Sequence, residues 1–362
     1  MAPTPHPVPL SAGATYVPGT PIEALLAPRD RVQALPGFDA VYSDFVDYII
    51  RCTHRIWEEK NLGLIHTHYT PGCVVHTLGG RTVGAEEVVR NTAGTLAAFP
   101  DRSLFGDHVI WSGDGAGGFY SSHRITSLMT NAGESEFGPA TGRRVRVTTI
   151  ADCAVRENRI YEEWLARDNS FIVRQLGFDP VAIASTQAAR PPQPQHEEWR
   201  LAEIARVTAY GPAPATAAPD PEADPAAFAR SLFDTVWNGR QFGAVRALYA
   251  PNARAEVPGG RGLFGHGEIA GWAIALLAAF PDARLSVDHV CAVPCPTGGV
   301  DIAVRWCLAG TQGGDGLYGP PTGRKALILG MTHWDVRGGR IRREWTVFDE
   351  LAVLRQLVGG AA

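Results

Sequence analysis

At 362 residues and 45% hydrophobic content, the chain is long for a single core and has an ordinary globular composition. A formal net charge of −4, with basic residues densest only as RVR at 144–146 and RIRR at 340–343, excludes a nucleic-acid surface. Six cysteines without a CxxC pair argue against a disulfide framework or thiolate metal site, and the lack of a leader-like start or long apolar run predicts a cytoplasmic, non-membrane protein.

Residues 1–37 are rich in proline and read as an extended arm. From Asp39 to Lys60, Val41, Phe45, Ile49 and Ile56 recur at helical spacing. A second short helix holds Leu64 and Ile65 and is ended by Pro71. The segment GAEEVVRNTAGTLAAF forms a third, stopped by Pro100. Four strand-like runs follow, DHVIW, GFYSSHRITSLMT, GRRVRVTTIADCAVRE and NRIYEEWLARD, separated by turn residues. Residues 181–224 form a proline-rich linker in which QHEEWRLAEIARV has the pattern of a short amphipathic helix. From Pro225 the order repeats and ends in RIRREWTVFDELAVLRQLV.

The repetition extends to single residues. Trp57, Tyr69 and Gly79-Gly80-Arg81 recur 180 positions later as Trp237, Tyr249 and Gly259-Gly260-Arg261. One residue is then inserted, and the offset becomes 181: AFPD at 98–101 matches 279–282, DHV at 107–109 matches 288–290, and TGR at 141–143 matches 322–324. Glu163-Trp164 and Asp168 match Glu344-Trp345 and Asp349. A register held through loops marks duplication of a whole domain rather than a solenoid of short repeats. Helices followed by an antiparallel meander predict an α+β unit with a curved sheet wrapped on helices. The units are placed at 38–180 and 225–362.

The pattern WN-x-R-x-F-x-AVRALYAPNA, AAFPD, GPPTGR and GRIRREWTVFD-x-LAVLRQL resembles the SnoaL-like polyketide cyclases of the NTF2-like superfamily. The first unit carries the same resemblance through IWEEKNLGLIHTHYTP, AAFPD, GPATGRR and NRIYEEWLARD-x-x-FIVRQLG. The resemblance implies two tandem cone-shaped domains, each a curved antiparallel sheet on about three helices. It also implies that the domains pair sheet to sheet as an intramolecular pseudo-dimer, with further homodimerisation left open. The implied activity is cofactor-independent acid/base chemistry of the cyclase, lyase or isomerase type on a small apolar molecule bearing a carbonyl or hydroxyl. Fold alone leaves a non-catalytic binder and an epoxide-hydrolase-like hydrolase as alternatives.

Strand alternation places Trp164, Ala166 and Asp168 on one face, and Trp345, Val347 and Asp349 on its counterpart. An acid beside tryptophan inside a cone would be desolvated, which raises its pKa toward neutrality. In the family an Asp at this position is the acid/base, so Asp168 and Asp349 are the implied catalytic residues. The competing role for each is to cap the helix that follows. His123, whose counterpart is Val304, is the candidate partner of Asp168 in a His/Asp dyad. The family's histidine before TGR has no counterpart here. His76, its counterpart Glu256, Trp164 and Trp345 are the predicted substrate-binding residues. His108 and His289, repeated in DHV, read as structural. No metal is predicted: His66 and His68 lie two apart on an expected helix and point in different directions.

Overall fold

The computed structural model describes Tyr16, residues 19–213 and residues 218–358. Residues 19–37 of the N-terminal arm are docked rather than freely extended, and the rest of that predicted extended arm, Tyr16 apart, lies outside the described residues. After a short turn of helix, α1 (Ile22–Leu25), the Arg31 guanidinium donates to the carbonyls of Tyr42, Leu35, Phe38 and Asp39 at 2.6–3.3 Å. This clamp folds the arm back, so that Leu35, Phe38 and Tyr42 enter the apolar core of the first unit.

Asp44 starts α2 (Phe45–Trp57) by accepting from the Asp47 N–H, and the helix buries Phe45, Tyr48, Ile49, Cys52 and Ile56. A helical turn, α3 (Ile65–His68), leads directly into β1 (Tyr69–His76). Pro71 therefore lies inside β1 and does not end the helix, which corrects the sequence expectation. The pairing of β1 with β6 (Arg159–Arg167) is irregular between Tyr69 and Val74, so the missing proline N–H disrupts no regular ladder there. Between them come β2 (Arg81–Val83), α4 (Ala85–Ala98), β3 (Ser103–Asp114), β4 (Gly118–Thr130) and β5 (Arg144–Arg156). The sheet order is β2-β1-β6-β5-β4-β3, with β1 parallel to β6 and the other neighbours antiparallel. Helix α5 (Asn169–Leu176) closes the unit.

The linker holds two helices rather than one, α6 (Pro180–Ala188) and α7 (Pro194–Thr208). Ala184 of α6 packs with Leu351 and Leu354, while Ile204 and Val207 of α7 join the core of the second unit. That unit runs α8 (Pro225–Leu232), a π-helical turn Phe233–Asn238, α9 (Val245–Leu248), β7 (Tyr249–Val257), β8 (Arg261–Phe264) and α10 (Gly265–Ala279). It continues with β9 (Arg284–Pro294), β10 (Val300–Thr311), β11 (Lys325–Arg337), β12 (Arg340–Phe348) and α11 (Glu350–Val358). Its sheet order, β8-β7-β12-β11-β10-β9, repeats that of the first. The chain is thus α+β, with two tandem NTF2-like units.

The sheets meet through the faces turned away from their own helices. At the centre Ile150 and Ala166 pack on Met331 and Val347, residues related in pairs by the 181-residue offset. On either side two cation–π contacts cross the interface. Arg124 lies 3.6 Å from the Trp345 ring centroid, and its counterpart Arg305 lies 3.4 Å from that of Trp164. The flanking positions have diverged while staying in contact. His108 bonds Asp301 at 2.9 Å, Ser122 bonds His333 at 2.8 Å, and Tyr120 stacks on His289 with centroids 3.5 Å apart. His108 and His289 therefore recur because both belong to this interface.

Buried cation–π pairs are worth about 2 kcal/mol when desolvated. Arg305→Ala and Arg124→Ala should each lower stability by about that amount, read from urea denaturation midpoints. Unchanged midpoints in both variants would show that the stacking contributes nothing.

Candidate functional site

A cavity of about 690 Å³ lies inside the first unit, between α2, α4 and the inner face of its sheet. Its buried wall includes Cys52, Cys153 and Glu163, with Ile56, Ile125 and Met129 supplying apolar surface. Its rim carries the exposed Glu134 and Glu136, together with Arg167 and Asn169. The second unit contributes Asp349, Leu351 and Arg355 to the same lining. The Arg355 guanidinium also donates to the Gly79 carbonyl at 2.7 Å, which ties α11 to the β1–β2 hairpin.

Glu163 is the acid that faces this cavity. The reason is a bulge: Ala154 pairs with Glu162 and Val155 with Ile160, which leaves Tyr161 unpaired on β6. Simple alternation from Ile160 turns Trp164 inward; the extra residue reverses it, so Glu163, Leu165 and Arg167 line the cavity instead. Glu163 is 8% exposed and accepts one hydrogen bond among the described residues, from the Tyr69 hydroxyl to Oε2 at 2.9 Å. Burial pushes its carboxyl up to about 7; Asp152 adds to this and Tyr69 opposes it. Tyr69 is held well above its ordinary range, chiefly by burial, and so stays a donor.

The same pair exists in the second unit as Tyr249 and Glu344, but the space beside it is filled. Glu344 accepts from Tyr249, from Trp334 Nε1 at 3.0 Å and from Thr346 Oγ1 at 2.8 Å. Where the first unit has Ile125, Cys153, Arg167 and Thr53, the second has Trp306, Trp334, Phe348 and Phe233. These rings pack on one another with centroids 5.5–6.2 Å apart. Thr149 becomes Gly330, where a Cβ would come within 2.2 Å of the Trp306 ring. One cone is open, and the other is a solid aromatic core.

The predicted site residues scatter. Asp168 lies outside the cavity: it caps α5 by accepting from Phe171 N–H at 3.2 Å, and its other oxygen takes the Gly259 N–H of the second unit at 2.6 Å. Asp349 caps α11 through the Ala352 N–H, accepts from Asn169 at 2.6 Å, and meets the rim of the first unit's cavity rather than a cone of its own. Both are raised to about 6, mainly by burial. His123 does line the cavity, but no His123–Asp168 dyad forms. Its ring is fully buried, held neutral with a pKa of about 3, and its Nε2 has no partner among the described residues.

Trp164 and Trp345 belong to the interface, under the arginines described above. His76 shares that side: it stacks on Trp164 at 5.5 Å and bonds Glu162 at 3.0 Å. Glu256, opposite Trp345 in the register, is exposed. His66 and His68 do not converge with His76, since His66 reaches Glu86 and His68 bonds Tyr42. Sequence alternation missed Glu163, although its recurrence as Glu344, together with Tyr69 and Tyr249, was a readable signal.

The model of the SnoaL-like polyketide cyclase family matches residues 48–176 and 227–357, well over half of the chain. The chain belongs to that family. Solved structures similar to it each span about one unit. The SnoaL-like structure from Jannaschia sp. CCS1 is 22% identical, covering 36% of this chain and 88% of its own, with a TM-score of 0.32. IdmH from Streptomyces antibioticus is 26% identical over 34% and 91%, with a TM-score of 0.30. AclR from Streptomyces galilaeus is 22% identical over 37% and 98%, with a TM-score of 0.32. No curated protein matches the chain.

Both SnoaL-like domains keep the family's strand-and-helix ending, but only the first keeps space beside its buried glutamate. Among the described residues, the metal-ligating side chains that come together are Glu203, Asp288 and Cys307. The Arg206 guanidinium already lies 2.6 and 2.8 Å from the two carboxylates, so that cluster has its cation. Among the described residues, no helix is long and apolar enough to cross a membrane.

The raised carboxyls set a pH dependence. Glu163 titrates at about 7 in the fold against an ordinary 4.5, and Asp168 and Asp349 at about 6 against 3.8. The folded state therefore holds protons that the unfolded chain releases, so stability is highest below the unfolded values and falls as pH rises through the folded ones. Glu163→Gln should remove the part of this loss that runs between about pH 4.5 and 7, and raise the melting temperature at pH 8 relative to the parent. An equal or lower melting temperature at pH 8, with the pH profile unchanged, would show that Glu163 is not held protonated by burial.

Proposed function

We propose that the first SnoaL-like domain is a cofactor-independent acid/base enzyme acting on a small apolar carbonyl compound, with Glu163 as the proton carrier. The observation that carries this reading is a buried carboxyl on the wall of an open cavity, with a pKa near 7 and a single hydrogen-bond donor. A group titrating near the working pH can both take and return a proton. Tyr69 engages Oε2, which leaves Oε1 to face the substrate.

In the ionised form Oε1 removes a proton from a carbon next to a carbonyl, and the C–H electron pair becomes an enolate. Return of that proton to a different atom of the enolate gives an isomer. Attack of the enolate carbon on a second carbonyl of the same molecule, with Glu163 protonating the new alkoxide, closes a ring. The family's description as polyketide cyclases favours the second outcome. His123 stays neutral over the whole working range and serves as a wall residue rather than a proton carrier. The second domain acts as scaffold and rim, contributing Asp349 and Arg355 at the mouth.

Solvent-deuterium exchange into aryl 1,3-diketones, followed by NMR, tests the assignment. Glu163→Gln should slow the catalysed exchange by roughly 10²–10⁴-fold, whereas Glu344→Gln should leave the rate within a few-fold of the parent. The parent rate should rise with pH and level off above about 7. Parent-like exchange in Glu163→Gln would sink the reading. Binding of the diketones without any exchange by the parent would identify a non-catalytic binder.

A further inference from the structure

Arg102 is a buried cation that forms no ion pair among the described residues. It follows the Pro100-Asp101 turn after α4, is 6% exposed and lines the cavity. Its guanidinium lies 4.2 Å from the Trp57 ring centroid, and Nη2 donates to Ser127 Oγ at 3.2 Å. Nε is buried without a partner, and Nη1 makes no hydrogen bond among the described residues. The nearby Glu58 carboxylate accepts from the Leu104 N–H and favours the charged guanidinium through space, but among the described residues it makes no direct ion pair with Arg102. Lys60 holds the backbone in place by donating to the Arg102 carbonyl at 3.0 Å.

A desolvated charge is costly unless it is paired, and a guanidinium is shaped to receive a carboxylate through two parallel hydrogen bonds. Burial pushes this guanidinium down to about 9, Arg167 on the same wall adds to this, and Glu58 opposes it without pairing directly. Arg167 has its own acid, Glu136 at 3.2 Å on the exposed rim. Comparison of the two domains points the same way. Trp57 recurs as Trp237, yet the position of Arg102 is Ala283 in the domain whose cone is filled. The unpaired arginine occurs where the cavity occurs.

We propose that Arg102 is the anion-recognition residue of this cavity and that the substrate is an apolar organic acid whose carboxylate seats on it. This rests on reading the cavity as the site of Glu163. The two residues are spaced along the sheet. Arg102 meets Ser127, whereas Glu163 pairs across β5 with Cys153, which faces Ser121. The stretch from Ser121 to Ser127 spans about 20 Å along β4 at most. The substrate is therefore elongated, with its acid at Arg102 and its reacting carbonyl toward Glu163.

Biphenyl-4-carboxylate and its methyl ester are matched probes for the full chain, with affinity read by tryptophan fluorescence and calorimetry. The parent should bind the acid at least about tenfold more tightly than the ester, the value of a charge-assisted pair over a neutral contact. Arg102→Gln should abolish that preference, and Arg102→Lys should keep part of it because the charge remains without the fork. Glu163→Gln should keep the preference intact while losing deuterium exchange. Equal affinity for acid and ester in the parent overturns the proposal, as does a preference that survives in Arg102→Gln. Failure of the acid to saturate at millimolar concentration also overturns it. If Arg102→Gln does not fold, Arg102→Lys decides, since an undiminished preference there excludes bidentate recognition. Parent-like exchange in Glu163→Gln with the acid preference retained would remove the role of Glu163 but leave that of Arg102 standing.

Discussion

The architecture depends on a reciprocal stacking across the middle of the molecule, Arg124 on Trp345 and Arg305 on Trp164. Each arginine covers the indole of the other domain, so neither sheet can complete this face alone. The apolar quartet of Ile150, Ala166, Met331 and Val347 fills the space between the two stacks. This arrangement decides which face of each sheet is left for chemistry. With the outer faces joined, the inner faces are the ones that can enclose a ligand. The bulge at Tyr161 then selects Glu163, rather than Trp164, for that inner face.

Much of this was legible in the residues. The helical spacing around Phe45 and Ile49 and the run of β4 from Gly118 to Thr130 agree with the elements observed. The duplication could be read residue by residue because the offset changes only once. The site was less legible. A tryptophan beside an acid suggests a pocket, and period-two alternation carries Trp164, Ala166 and Asp168 to one face; they do share a face, but it is the buried interface. A single unpaired residue reverses parity without leaving a mark in composition. The competing capping role weighed for Asp168 and Asp349 is the one their side chains adopt, since each accepts from an N–H of the first helical turn.

Arg102 shows a different limit. Nothing in its local sequence distinguishes it from a surface arginine after a helix, because its lack of an ion pair among the described residues depends on which segments surround it. Burial, the Trp57 ring and the absence of an ion pair are tertiary facts. The contrast with Ala283 was present in the aligned repeats, but it acquires meaning only once one cone is seen to be empty and the other packed.

Joining the two domains in one chain has an evolutionary consequence. In a homodimer encoded by one gene, any substitution enters both subunits at once, so a tryptophan that plugs one cone plugs its twin. Here Trp306 could replace an isoleucine-sized side chain, and Gly330 could make room for the ring, while Ile125 and Thr149 stayed as they were. Covalent linkage released the copies from their shared fate. One half was free to accumulate bulk and rigidity as a foundation, and the other kept its hollow.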